Sequence, residues 1–158
     1  MVIAKFLHVS AAQYAASALP DALPVDAILL PCRATAGSAG YDFICPADVT
    51  LAPNEAITIP TGIRCEMQPG WVLLLFPRSG LGFKHQVQLA NTVGVIDADY
   101  FHAANEGHIM VRIVNGGDHV VSIAKGERFC QGVFLPHGLA EEDNVSADRT
   151  GGFGSTGK

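Results

Sequence analysis

The sequence predicts an all-β protein, a sandwich, jelly roll or barrel, and three observations carry that expectation. Short apolar runs recur along the chain and several alternate, as in Ile57, Thr58 and Ile59. Alternation puts every second side chain on one face of an extended strand. Seventeen glycines and nine prolines separate these runs, a texture that favours strands joined by turns over long helices. Turn pairs then punctuate the pattern at Pro53-Asn54, Pro69-Gly70 and Gly116-Gly117-Asp118, as a sandwich, jelly roll or barrel requires.

Taken in order, residues 2–8 read as a first strand. Residues 10–18 are rich in alanine and predict a short helix ahead of the breaks at Pro20 and Pro24. Further strands are expected at 49–51, 56–59, 63–67, 71–76, 108–114, 120–123 and 128–135, and residues 89–100 read as a β-hairpin. No internal repeat interrupts the series. After Pro136 the apolar pattern stops, and a polar stretch at 141–148 leads into RTGGFGSTGK. We therefore expect one β domain over 1–140, with an alanine-rich insert near 10–28, and a flexible C-terminal arm over 141–158.

Length and charge bound the partners. A chain of 158 residues fits one domain with a sizeable core. Its formal net charge of −5 argues against nucleic acid held on a broad basic surface, which needs clustered Lys and Arg. A small polyanion remains open, because a few local arginines and a metal ion would neutralise it. The charged fraction is only 16%, which suggests surface hidden by self-association. Cys32, Cys45, Cys65 and Cys130 form no Cys-x-x-Cys pair, so reduced thiols are expected in place of a zinc site or disulfide framework. The N-terminal residues FLHVSAAQYAASALP imitate a cleavage site, but His8 and Gln13 break the apolar stretch a signal peptide needs. No run reaches the roughly 18 apolar residues of a membrane span, and the expected compartment is the cytoplasm.

Five segments carry chemistry. In FPRSGLGF (76–83) an apolar strand ends at Pro77 and delivers Arg78, Ser79 and Gly80 to one point. Guanidinium, hydroxyl and closely approaching backbone N–H groups are all phosphate donors. In LANTVGVIDADY (89–100) the backbone through Gly94, Val95 and Ile96, with the Asn91 amide, offers donors and acceptors matching the polar edge of a pyrimidine. Asp97 there is either a base or a turn former. SAGYDF (38–43) supplies Asp42, and GERFCQGVF (126–134) sets Gln131 in an otherwise apolar run, where a buried amide needs partners. In RTGGFGSTGK, Phe153 is a lone aromatic among glycines, following Arg149 and flanked by Gly154, Ser155 and Thr156. That arrangement suits a flap that stacks on a ligand and donates to phosphates.

In this order, SAGYDF, PRSGLG, NTVGVIDADY, GERFCQG and RTGGFGSTG closely resemble the five motifs of the homotrimeric dUTP pyrophosphatases, over about residues 30–158. The resemblance implies a distorted jelly-roll or β-barrel subunit of the dUTPase-like, β-clip kind, and three sites shared between the subunits of a homotrimer. It also implies Mg²⁺-dependent hydrolysis of dUTP to dUMP and pyrophosphate, keeping uracil out of DNA and supplying dUMP for dTMP synthesis. Asp97 matches the aspartate that activates water for attack on the α-phosphorus, and Asp42 the one that holds metal-bound water. Arg78, Ser79 and Gly80 match the phosphate turn, and Gln131 resembles a further phosphate ligand. Asn91, Gly94, Val95 and Ile96 match the uracil reader. Tyr100 matches the ring packed under deoxyribose, and Met110 a side chain lining the pocket. Phe153, Gly154, Ser155 and Thr156 resemble the stacking arm, supplied in the family by another subunit, with Arg149 directed to the γ-phosphate.

Two departures stand out. YFHAANEGHI (100–109) inserts about five residues and removes the Arg expected after Tyr100, which leaves the roles of His102 and Asn105 to be found. Arg149 stands four residues before Phe153, one closer than the commonest spacing. The related dCTP deaminases are the nearest rival, but GHIMVR puts Arg112 where their catalytic glutamate belongs. A non-catalytic nucleotide-binding protein of this fold has no need to keep Asp97, Gln131 and Phe153 together.

Overall fold

The computed structural model describes residues 1–147 and Gly151. Twelve strands form among them, and the helices are brief. Strand β1 (Ala4–His8) is followed by α1 (Ala11–Ala15), a 3-10 turn at Val25–Ala27, β2 (Cys32–Arg33), β3 (Tyr41–Ile44), β4 (Val49–Leu51), β5 (Ala56–Pro60), β6 (Ile63–Met67) and β7 (Trp71–Pro77). Then come α2 (Ser79–His85), β8 (Val87–Leu89), β9 (Gly94–Ile96), a second 3-10 turn at Ala98–His102, β10 (Met110–Asn115), β11 (Val121–Ile123) and β12 (Arg128–Pro136). Described residues after β12 join no strand.

All pairings are antiparallel and fall into four sheets. The largest runs β2-β3-β12-β7-β9, a second runs β5-β10-β8, and β1 with β6 and β11 with β4 make two ribbons. Burial explains the pairing. Strand β6 buries Ile63, Cys65 and Met67 and strand β10 buries Val111 and Ile113, with the intervening residues more exposed, so each sheet turns one face to a common core. Phe43, Leu73, Leu75, Ile113 and Phe129 are fully buried in it.

Three local expectations need correction. The predicted hairpin at 89–100 is a corner, because β8 pairs with β10 while β9 pairs with β7 in another sheet. Thr92 takes a left-handed backbone (φ 69°) and the Val93 amide donates to the Asn91 carbonyl at 2.8 Å, so the chain turns sharply and changes sheet. The phosphate-type turn after Pro77 continues into α2, whose two glycines disguised it; Gly82 N–H donates to the Arg78 carbonyl (2.9 Å) and Gln86 closes it in a left-handed conformation. The alanine-rich helix is shorter than 10–18, with Ser10 as its cap accepting from the Gln13 amide at 3.1 Å.

The insert is anchored through one buried imidazole. His108 Nε2 accepts from the Gly62 amide at 2.9 Å, while the ring lies 6.1 Å from that of buried Tyr14 on α1. Nε2 must stay unprotonated to accept, and burial pushes the imidazolium down to about 4. The unfolded chain takes up this proton near 6.5, so the residue's contribution is complete above about pH 6.5 and is lost as pH falls toward about 4. Replacing His108 by Gln, which can still accept from Gly62, is expected to flatten the fall in melting temperature across that window. Parallel slopes for the two proteins would refute this. A second expectation concerns thiols. Burial pushes Cys45 up to about 11 and Cys65 up to about 12, and raises fully buried Cys130, whereas Cys32 is exposed. A maleimide reagent on native protein should label one thiol, Cys32, and peptide mapping would detect any second adduct.

Candidate active site

One end of the five-stranded sheet collects the polar residues of three segments far apart in sequence. Register places Asp42 on β3 beside Gln131 on β12, and Gln131 in turn beside Phe76 on β7, one residue before Pro77 and two before Arg78. Asp42 is a 5%-exposed carboxylate, and such a charge is retained only when paired. Its Oδ1 accepts from Arg78 Nη1, and its Oδ2 faces Arg128 Nη1 at 3.4 Å. The Gln131 amide lies close by, with Nε2 donating to the Pro77 carbonyl at 3.4 Å. Gly40 packs against this amide, and a Cβ at that position, 2.5 Å from Gln131 Oε1, would make the Gln131 side chain shift. Ser79 and Gly80 follow Arg78, exposed in the first turn of α2.

Arg128 is a residue that the motif reading passed over. It opens β12 three positions before Gln131 and is half-exposed, and it reads in sequence as an ordinary solvated charge. Only the β3–β12 register, which puts Arg128 near the chain of Asp42, reveals that it shares the carboxylate.

The second group of predicted residues sits elsewhere. Asp97 leaves β9 at a point level with the opposite end of β7, since Leu73 pairs with Ile96. From Leu73 to Arg78 the strand advances five residues, about 16 Å at roughly 3.3 Å per residue. Asp97 caps the 3-10 turn that carries Tyr100, whose amide donates to the Asp97 carbonyl at 3.2 Å. Asn91 is exposed on the corner between β8 and β9, and Met110 opens β10 just beyond His108 and Ile109. Tyr100 is only 6% exposed, and its hydroxyl donates to the His108 carbonyl at 2.8 Å. One copy of the chain thus assembles a phosphate-type end (Asp42, Arg78, Ser79, Gly80, Gln131) and, separately, a group containing Asn91, Gly94–Ile96, Asp97, Tyr100 and Met110. Arg149, Phe153, Gly154, Ser155 and Thr156 lie outside the described residues.

Among the described residues strand β9 is an edge of its sheet, and Val95 on it is 58% exposed. An edge strand offers unpaired backbone groups, as a reader of a planar polar ligand or a partner surface would. Arg112, on β10, is exposed and donates to the Thr58 hydroxyl across the sheet at 3.4 Å; a guanidinium cannot act as the general base that a deaminase strand would provide there. No helix among the described residues is long and apolar enough to cross a membrane.

The sequence profile of the dUTPase family matches residues 26–157. A deoxyuridine 5'-triphosphate nucleotidohydrolase of Lactococcus lactis is 47% identical over 133 residues, covering 82% of this chain and 89% of the relative. One from Hahella chejuensis is 44% identical over 138 residues, covering 82% and 88%. The crystal structure of dUTPase from Streptococcus mutans aligns at 40% identity with a TM-score of 0.67, covering 79% of this chain and 97% of that one. With SAGYDF, PRSGLG and GERFCQG meeting at one sheet end and the family profile running through most of its length, the chain belongs to the dUTPase family.

Proposed function

We propose that this protein is a dUTP diphosphatase, a hydrolase that cleaves dUTP to dUMP and pyrophosphate. The observation that carries the reading is the convergence of Asp42, Arg78 and Gln131 from three strands on one sheet end, in a chain of this family. That end is built for a polyanion. Arg78 presents a forked cation, Ser79 a hydroxyl and Gln131 an amide, and a triphosphate entering there would draw the Arg78 guanidinium from the Asp42 carboxylate toward phosphate oxygens.

In the reaction, a water oxygen attacks the α-phosphorus as Asp97 accepts the water's proton. A new P–O bond forms, the bond from the α-phosphorus to the oxygen bridging to the β-phosphorus breaks, and pyrophosphate departs. Asn91 and the backbone of Gly94, Val95 and Ile96 read uracil, and cytosine would meet the wrong donor pattern. Tyr100 lies under the sugar and excludes a 2′-hydroxyl, Met110 lines the pocket, Phe153 stacks on the base, and Arg149, Gly154, Ser155 and Thr156 close over the phosphates. Mg²⁺ bound with the triphosphate supplies charge neutralisation at the phosphate oxygens. Asp42 would hold a water of such an ion through the Oδ1 that Arg78 leaves when its guanidinium turns to the phosphates. Mg²⁺ with one indirect carboxylate and several phosphate ligands is ordinary chemistry for that ion.

The separation of Asp97 from Arg78 supports a site shared between copies, and so a homotrimer in which one subunit's phosphate end meets a neighbour's Asp97. The exposed edge strand β9 supports the same arrangement. A substrate from the nucleotide pool assigns the work to the cytoplasm.

A pyrophosphate-release assay tests the reading. Wild-type protein should turn over dUTP and release no ammonia from dCTP. Asp97→Asn should lose about 10²- to 10⁴-fold in kcat while still binding a non-hydrolysable dUTP analogue. Normal turnover by that variant would remove Asp97 from the mechanism. Deleting residues 148–158 should leave a trimer by sedimentation yet depress kcat/KM strongly; unchanged kinetics would mean that the tail takes no part.

A further inference from the structure

We infer that Asn105, in the segment inserted after Tyr100, is a positioning residue that sets preference for deoxyribose by clamping the Tyr100 ring. The inference rests on the reading above that Tyr100 lies under the sugar, and it gives the inserted residues a task in that same site.

The geometry is a closed set of hydrogen bonds. Asn105 Nδ2 donates to the Tyr100 hydroxyl at 2.8 Å and to the His108 carbonyl at 3.4 Å. The Tyr100 hydroxyl donates to that same carbonyl at 2.8 Å, and Asn105 Oδ1 accepts from the Gly107 amide at 3.2 Å. The tip of the phenol is therefore held from two sides. Gly107, at φ 69°, lets the returning chain close over the turn, since a Cβ there would stand 2.7 Å from the Tyr100 carbonyl oxygen.

The insert is itself tethered at both shoulders. Arg64 on β6 donates to the Phe101 carbonyl at 2.7 Å and lays its guanidinium over the Phe101 ring, 3.7 Å from the centroid. An arginine thus reaches the position after Tyr100 from another strand. On the other shoulder the Glu106 carboxylate accepts from the Ser10 hydroxyl (2.6 Å) and the Ser10 amide (2.8 Å), which ties the insert to the cap of α1. The alanine-rich insert and the segment inserted after Tyr100 meet here and brace each other.

A steric gate discriminates only as far as the gate refuses to move. One extra hydroxyl is a small perturbation, and a ring free to tilt by a few tenths of an ångström would admit it at little cost. A ring whose hydroxyl is fixed by Asn105 and a backbone carbonyl must break hydrogen bonds to yield.

Steady-state kinetics on dUTP and UTP with Asn105→Ala, Asn105→Asp, Tyr100→Phe and Tyr100→Ala test the clamp. Asn105→Asp keeps the acceptor for Gly107 and removes the donor to Tyr100. Tyr100→Phe keeps the ring, removes only the held hydroxyl and guards against a folding failure at Asn105. Each of these, and Asn105→Ala, should lower the ratio of kcat/KM for dUTP to that for UTP by about tenfold, roughly one hydrogen bond. The change should lie in KM for dUTP and in gained UTP turnover. Combining Asn105→Ala with Tyr100→Phe should change the ratio by less than the product of the two single effects, because the Asn105–Tyr100 bond is lost in both. If Tyr100→Ala relaxes the ratio while Asn105→Asp and Tyr100→Phe leave it at the wild-type value, the clamp is wrong and the sugar-reading role of Tyr100 stands. If Tyr100→Ala itself leaves the ratio unchanged, both fall together.

Discussion

The site end of this molecule depends on one buried carboxylate shared by two arginines. Asp42 is taken out of water on β3, and the cost of doing so is met only because Arg78, at the end of β7, and Arg128, at the start of β12, both reach it. The three strands are neighbours in one sheet, so the ion pairs bind side chains whose backbones are already in register. A slip of one residue in β12 would turn Gln131 to the other face and uncouple Arg128 from its partner. The same pair holds the Arg78 guanidinium against the sheet end in one orientation.

Much of the architecture was legible from alternation and turns. Strands at 49–51 and 63–67 fall where the pattern put them, and those at 71–76 and 128–135 differ by a residue at one end. Pairing was not legible, because a period of two says which face a residue occupies and nothing about which strand lies alongside. That is why residues 89–100 resembled a hairpin: two short apolar runs with a turn between them read alike whether they pair with each other or with strands of different sheets. Helix α2 was hidden because Gly80 and Gly82 suggest a turn, and only tertiary context supports seven residues of helix there. Of the site, Asp42, Arg78 and Gln131 were found by motif, whereas Arg128 and Asn105 were not assigned, since their partners are supplied by the fold.

The inserted segments show how a protein can lengthen two loops and lose no order. Long loops add conformational freedom that packing must remove. Here Ser10 with Glu106, Tyr14 with His108, and Arg64 with Phe101 link one insertion to the other and to β6, and the Ser10 donors hold the Glu106 carboxyl below its ordinary value. The links differ in setting, with Tyr14 and His108 buried and Ser10 and Glu106 at the surface. Together they convert two excursions into one supported corner beside Tyr100.

The placement of Asp97 and Arg78 at opposite ends of β7 also bears on inheritance. In the shared-site trimer proposed above, a base-end lesion in one copy and a phosphate-end lesion in another would leave mixed assemblies with some composite centres that carry neither defect. When both lesions reside in one polypeptide, that copy spoils every centre it joins. Alleles of such a protein would therefore complement or poison one another according to which end of a single strand they touch.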